Sequence, residues 1–307
     1  MSVELPIAET MDIEDPDVFG PDLEAAPKSP VREAFDALRR NKAFLFGLFL
    51  FVGFLAMATF APWLAPHDPS KIAVGPRLAG PSLDYPMGTD EFGRDIFSRA
   101  IFGSRLSLLA AFASVAISAT AGTVIGIVAG YRRGALDTLL MRGVDVLLAF
   151  PGIMLALAVA ALLGTGMTSV IVAVGIAGIP LFSRVVRGAV LSVSELDYVL
   201  AARAVGCPTS RIMRSHILPN VVGTAIVLAT LQMAYAVLVA SSLSFLGVGV
   251  QPPTPEWGAM ANAGRSILVT GWWVSTFPGL MIVLFVISVN VMGDALRDAL
   301  DRTLRHT

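Results

Sequence analysis

The stretch Tyr198–Asn220, "YVLAARAVGCPTSRIMRSHILPN", interrupts long uncharged apolar runs with a short basic segment broken by Gly206, Pro208 and Pro219. Tyr198, Ala201, Ala202 and Val205 recur at i, i+3, i+4 and i+7, one face of one helix. The middle of that face is alanine, small enough for a partner to approach the backbone closely. Ser192 and Ser194 each have an acid three residues on, Glu195 and Asp197, and this capping-box spacing predicts where the helix starts. Gly206 stands where a left-handed C-cap ends it, and Thr209 or Ser210 starts a second helix running towards Pro219. Two short helices therefore meet at a bend. Two uses fit such an elbow: an amphipathic connector on the bilayer, with Arg203, Arg211 and Arg214 at lipid phosphates, or a rigid knob gripped by a soluble partner.

The elbow sits in a polytopic membrane protein. Of 307 residues, 55% are hydrophobic and 15% charged, with a mean hydropathy of +0.74, far from the composition of a soluble domain. A helix crosses the hydrocarbon with about 20 apolar residues, so charge-free windows mark the spans. They are Ala43–Pro66, Leu106–Tyr131, two within the 38-residue window Val146–Ser183 divided by a turn at Gly164–Ser169, one near Val221–Leu246 and one within Ser266–Gly293. Six spans put both termini on one side. With that side inside, sixteen Lys and Arg fall in inner segments and six in outer ones, which satisfies the positive-inside rule. The elbow is then cytoplasmic. The outer loop Pro66–Arg105 runs against the trend, with five of the six outer cations.

The first 27 residues carry eight acids and no Lys or Arg, the pattern of a disordered tail. They lack the basic start and apolar core of a cleavable signal, so the first span is expected to stay as an anchor. A net charge of −1 with scattered cations excludes a nucleic-acid patch. Cys207 is the single cysteine, so no intrachain disulfide or cysteine metal site can form. His67, His216 and His306 lie in separate segments and read as interfacial or solvated side chains. Trp63, Trp272 and Trp273 read as anchors at the membrane interface. Gln232, Tyr235 and Asn290 are polar positions within spans that either line a path or brace the bundle. Gln251-Pro252-Pro253 reads as an irregular re-entrant elbow on the outer side.

Ala201-Ala202, Gly206 and Leu218-Pro219 resemble the coupling loop of ABC importer permeases, with Leu200 at the usual Glu position and His216 at the usual Ile. "DYVLAARAVG…RIMRSHILPN" is similar to the variant of that loop found in the peptide-importer branch. Four more blocks, Arg39–Pro69, "MGTDEFGRDIFSRAIFGSRLSL" (Met87–Leu108), "SFLGVGVQPPTPEWGAM" (Ser244–Met260) and "GDALRDALD" (Gly293–Asp301), resemble in order the shorter, C-type permease of dipeptide and oligopeptide importers.

The resemblance implies an all-α membrane protein of six transmembrane helices with the type I importer fold and a cytoplasmic coupling helix. It implies an acidic tail over 1–38, an N-terminal span over 39–69, an external loop over 70–104, a five-span core over 105–295 with the coupling loop at 192–220, and a cytoplasmic tail over 296–307. Tyr198, Ala201, Ala202, Arg203, Gly206, Leu218 and Pro219 would meet an ATPase. Gly88, Thr89, Asp90, Gly93, Arg94 and Asp95 would shape an external mouth where a substrate-binding protein docks. The implied partners are a second homologous permease, one or two kinds of ATPase subunit, that binding protein and the bilayer, in the inner membrane of a prokaryote with both termini cytoplasmic. The chain itself would bind no cofactor, ATP and Mg being used by the partner subunits.

A phosphate-binding loop is absent from the sequence. It needs Gly-Lys-Ser/Thr, and none of Lys28, Lys42 and Lys71 follows a glycine. An ion-coupled carrier would place ionisable groups inside its spans, where this sequence offers little beyond Asp145 near the inner end of the third. A passive membrane scaffold would leave the elbow without a use.

Overall fold

The computed structural model describes residues 30–304. The helices in chain order are α1 (Pro30–Arg40), α2 (Lys42–Thr59), α3 (Ala61–Leu64), α4 (Ile96–Arg132), α5 (Gly134–Leu148), α6 (Gly152–Leu163), α7 (Met167–Val193), α8 (Asp197–Ala204), α9 (Thr209–Ile212), α10 (Leu218–Phe245), α11 (Trp257–Ala263) and α12 (Trp273–Leu304). Five stretches are long and apolar enough to cross a membrane: α2, α4, α7, α9 running into α10, and α12. Among the described residues the pair α5 and α6, bent by 90°, brings the number to six when counted as one span.

The bend departs from the expected pair of straight spans. Pro151 disfavours helical backbone at Phe150 before it, so α5 ends at Leu148 and the chain turns through Ala149–Pro151 into α6. With twelve residues, α6 is about 18 Å long. The expected turn at Gly164–Ser169 is present: Gly164 and Gly166 adopt φ of +88° and +135°, and the Gly166 N–H donates to the Val248 carbonyl.

Helix ends moved for identifiable reasons. The helix α4 starts ten residues before Leu106, because the Asp95 carboxylate accepts from the Phe97 and Ser98 amides and caps it there. A 3-10 turn at Arg265–Ile267 occupies the expected beginning of the last span, which starts at Trp273. At the other end of the chain, α1 covers 30–40, overlapping the stretch expected to be an unstructured tail; residues 1–29 of that tail and His306 lie outside the described residues.

The most extensive interface in the bundle joins α4 to α7. Gly122, Gly126 and Gly130 recur every fourth residue on α4 and face α7. A Cβ at these positions would stand 2.9 Å from the Ile179 carbonyl oxygen, 2.8 Å from that of Ser183 and 3.0 Å from that of Arg187. The fit is reciprocal, with Gly175 and Gly178 of α7 against Ile117 and Ser118 of α4. Lipid tails are as apolar as leucine, so helices in a bilayer associate through close packing, and small residues permit it. Around this pair Val115, Ala156, Ala160, Val174, Phe182, Val239 and Leu243 build a core shared by α4, α6, α7 and α10. A second cluster, including Phe54, Trp257 and Phe285, packs α2, α11 and α12 onto α4, with ring centroids of Phe54 5.6 Å from those of both Trp257 and Phe285.

Gly126→Leu is expected to abolish the monodisperse peak in fluorescence-detected size exclusion, since the nearest obstructing atoms are the Ser183 carbonyl, Val186 Cβ and the Arg187 amide, none of them at the end of a flexible side chain, and overpacking costs about 1–3 kcal/mol even where neighbours can adjust. Gly53→Leu is expected to keep it, because nothing lies within 4 Å of a Cβ at Gly53.

Candidate functional site

Two constructions stand at opposite ends of the bundle. At one end is the elbow. Its first helix, α8, ends in a double turn: the Gly206 N–H donates to the Arg203 carbonyl at 3.0 Å, the Cys207 N–H reaches back to the Ala202 carbonyl at 3.0 Å, and Gly206 takes φ +79°. This is the Schellman arrangement, which satisfies carbonyls that a helix end otherwise leaves unpaired. Pro208 follows, then α9, then a π turn over Met213–Ile217 that joins α9 to α10. The Leu218 N–H closes that turn on the Met213 carbonyl, and Pro219 behind it has no N–H to continue an α ladder. The Asn220 side chain donates to the His216 carbonyl at 2.6 Å.

The expected capping box does not form. The helix α7 extends to Val193, so Ser192 Oγ bonds the Gly188 carbonyl within it, and Ser194 is buried at its end without a side-chain hydrogen bond. The residue at the cap position of α8 is Leu196, which contributes no side-chain bond. Glu195 instead pairs with Arg133, whose guanidinium holds that carboxyl below its usual range.

The elbow has a fixed underside and an open face. Val199, Ile212 and Ile217 are fully buried with Val186 and Val190 of α7, Ile127 of α4 and Val221 of α10, and Ala202, Cys207 and Met213 pack against them. Tyr198, Leu200, Ala201 and Val205 point away from this cluster; Val205 is 81% exposed and Tyr198 44%. Ala202, expected on the open face, sits at its edge and faces inward. Arg203 lies over the Tyr131 ring, its Cζ 4.7 Å from the centroid. His216 packs beside Tyr198 with centroids 6.0 Å apart, a use for the residue that replaces isoleucine. Leu218 and Pro219 are exposed at the start of α10.

At the opposite end the segment Gly88–Asp95 is folded inward. Thr89, Asp90, Arg94 and Asp95 are all buried. Asp90 accepts from Arg94 Nε at 2.6 Å and from the Phe92 and Arg94 amides, with Arg99 Nε 3.9 Å away. Asp95, besides capping α4, accepts from Ser98 Oγ at 2.6 Å and lies 3.2 Å from Nδ1 of the partly exposed His67, which is therefore paired as well as partly solvated. Gly88 and Gly93 have φ of +75° and +70°, and a Cβ on either would strike a carbonyl oxygen, of Ala79 or Gly75. These side chains shape the outer surface from beneath, and Ser82, Leu83, Asp84, Glu91 and Phe92 are among the exposed residues of the same loop. Trp273 is also buried, its indole donating to the Thr89 carbonyl at 3.0 Å, whereas Trp63 and Trp272 are exposed as interface anchors should be.

Three residues that pattern alone did not single out hold this end together. Arg99 donates to the carbonyls of Pro69 and Pro253, tying the outer loop to the segment before α11. Arg105 donates to the Ala58 and Thr59 carbonyls at the end of α2. Glu256, 2% exposed, caps α11 by accepting from the Gly258 and Ala259 amides at 3.0 and 2.8 Å, and takes a third bond from Ser107 Oγ on α4. Burial pushes its carboxyl above the usual range against the pull of those donors. A lone acid directly before Trp-Gly in an apolar block was the available signal.

The residues matched by known families fall on this architecture. Residues 122–306 match the family described as binding-protein-dependent transport system inner membrane component. The chain belongs to that family. Its residues 29–81 match a second model, the N-terminal TM domain of oligopeptide transport permease C, which makes it a C-type permease subunit. It is 43% identical to the di/tripeptide transport system permease protein DppC of Pseudomonas aeruginosa over 91% of this chain and 94% of that protein. With the glutathione transport system permease protein GsiD of Pectobacterium atrosepticum it shares 45% identity over 91% and 93%. The inward-facing MetNI methionine ABC transporter superposes with a TM-score of 0.56 at 19% identity, covering 66% of this chain and 97% of that one. The fold is thus that of an ABC importer permease, and the chain is a multi-pass protein of the bacterial inner membrane.

Gly206→Val is expected to cut uptake at least about tenfold with membrane insertion unchanged, since a β-branched residue resists positive φ, whereas Gly206→Asn is expected to retain most activity. Glu256→Ala is expected to lower the stability of the purified protein by about 1–3 kcal/mol, the cost of leaving buried amides unpaired, which a thermal melt in detergent beside the parent reads.

Proposed function

We propose that this chain is one half of the transmembrane pathway of an ATP-driven importer for dipeptides, tripeptides or chemically related solutes such as glutathione. A second homologous permease supplies the other half, and an external binding protein delivers the solute. Separate ATPase subunits, with ATP and Mg, supply the energy, and this chain is non-catalytic. The elbow and both termini lie in the cytoplasm, as the distribution of Lys and Arg favours.

The observation that carries this reading is the elbow's two-sidedness. Its apolar face of Tyr198, Leu200, Ala201 and Val205 is open while Val199, Ile212 and Ile217 beneath it are packed onto α4, α7 and α10. A soluble partner that covers the face can move those three helices as one body. ATP-driven closure of the ATPase pair then biases an equilibrium between two arrangements of the spans. Relatives named for di/tripeptides and for glutathione support the class of solute.

Gentle detergent purification of the parent is expected to bring ATPase subunits with it, and Ala201→Trp is expected to lose them by overfilling the face. Equal recovery from both would transfer the elbow to a lipid-surface role.

A further inference from the structure

The helix α5 is joined to the bundle with little apolar burial. Val144 is its buried residue, while Leu136, Leu139, Val146 and Leu148 are exposed. Charge makes the join instead. Arg187 of α7 grips Asp137 with two bonds, Nε to Oδ1 and Nη2 to Oδ2, each 2.7 Å. Arg184 Nη2 donates to Asp145 Oδ1 at 2.7 Å, and Arg133 pairs with Glu195 where α5 begins.

Helical rise separates Asp137 from Asp145 by about 12 Å on α5 but Arg184 from Arg187 by about 4.5 Å on α7. The two guanidinium groups therefore fan out from one turn of α7 and hold α5 at two points, and the bidentate pair fixes orientation as well as distance. Side chains of Arg184 and Asp145 are 56% and 47% exposed. An ion pair this wet is weak and easily opened, whereas the bidentate pair, with Arg187 and Asp137 33% and 14% exposed, is the firmer of the two.

What lies on either side of the clamp gives it a use. Beyond it the chain bends through 90° into α6, which is fixed by the buried Ala156 and Ala160, with Tyr235 Oη against Gly152. On α7, Arg184 and Arg187 bracket Val186, which is buried against the elbow's Val199, Ile212 and Ile217. An arm held by charge more than by apolar burial thus hangs from a fixed helix, clamped by the turn of α7 that also carries the elbow.

We propose that Asp137–Arg187 and Asp145–Arg184 form an electrostatic clamp, and that α5 swings away from α7 about the 149–151 bend during each transport cycle. Arg184 and Arg187 are positioning residues that act through α5, and the inference rests on the importer reading above. Asp137→Cys combined with Arg187→Cys is assembled with its ATPases in proteoliposomes and joined by a short, reducible bifunctional thiol reagent. The parent, which retains Cys207, and each single-cysteine variant are treated alike.

Cross-linking is expected to lower uptake by more than about tenfold relative to those controls, while ATP hydrolysis continues and reduction restores uptake, as for a trapped gating segment. Undiminished uptake by fully cross-linked transporter would overturn the clamp. If this pair fails to assemble, Asp145→Cys with Arg184→Cys makes the same test. Independently, Asp137→Arg and Arg187→Asp are each expected to raise the ATP consumed per solute, and the two together to restore it; a ratio unmoved by the single changes would also count against the clamp. Absence of ATP-dependent uptake in the parent would instead refute the importer reading.

Discussion

The rest of the molecule depends on how closely α4 and α7 approach. In a bilayer there is no water to drive apolar faces together, so stability comes from contact density, and contact density comes from missing side chains. Gly122, Gly126 and Gly130 let the α7 backbone settle into α4, and Gly175 and Gly178 answer from the other side. Every other element is placed relative to this pair: α6 and α10 share its core, α2 and α12 lean on α4 through Phe54 and Phe285, and the elbow is fastened beneath its inner end.

That placement explains how a force applied at the elbow can reach the spans. Ile212 and Ile217 are buried against α4, α7 and α10 together, so the elbow cannot shift without them. The Schellman turn at Gly206 and the π turn at Met213–Ile217 fix its shape from both sides. At the far end the buried set formed by Asp90, Arg94, Arg99 and Glu256 fastens the outer loop and α11 to α4. The same long helix thus carries a rigid attachment at each end.

Much of this was legible in the sequence because it is written in local patterns. Charge-free windows located the spans other than the one α5 opens, Gly206 announced a positive φ, and the spacing of Tyr198, Ala201, Ala202 and Val205 gave the open face in all but Ala202. What escaped depended on partners distant in the chain. Neither Arg99 nor Glu256 has a neighbour in sequence that reveals its bond to Pro253 or Ser107. Trp273 read as an anchor beside Trp272 because nothing local shows that its indole meets Thr89. The capping box failed because α7 ran on to Val193 and absorbed both serines. Pro151 was the local sign of the broken span, outweighed by an unbroken run of apolar residues.

The bend at Ala149–Pro151 also constrains what can surround it. The Ala149 and Phe150 amides donate to the Asp145 and Leu147 carbonyls at the end of α5, the first amides of α6 have no carbonyl one turn back to meet, and the three bend residues are exposed on this chain. Hydrocarbon cannot satisfy such groups; they persist at membrane depth only against protein or water. Wherever the bend reaches the hydrocarbon, the exposed residues Ala149–Pro151 therefore call for protein or water beside them.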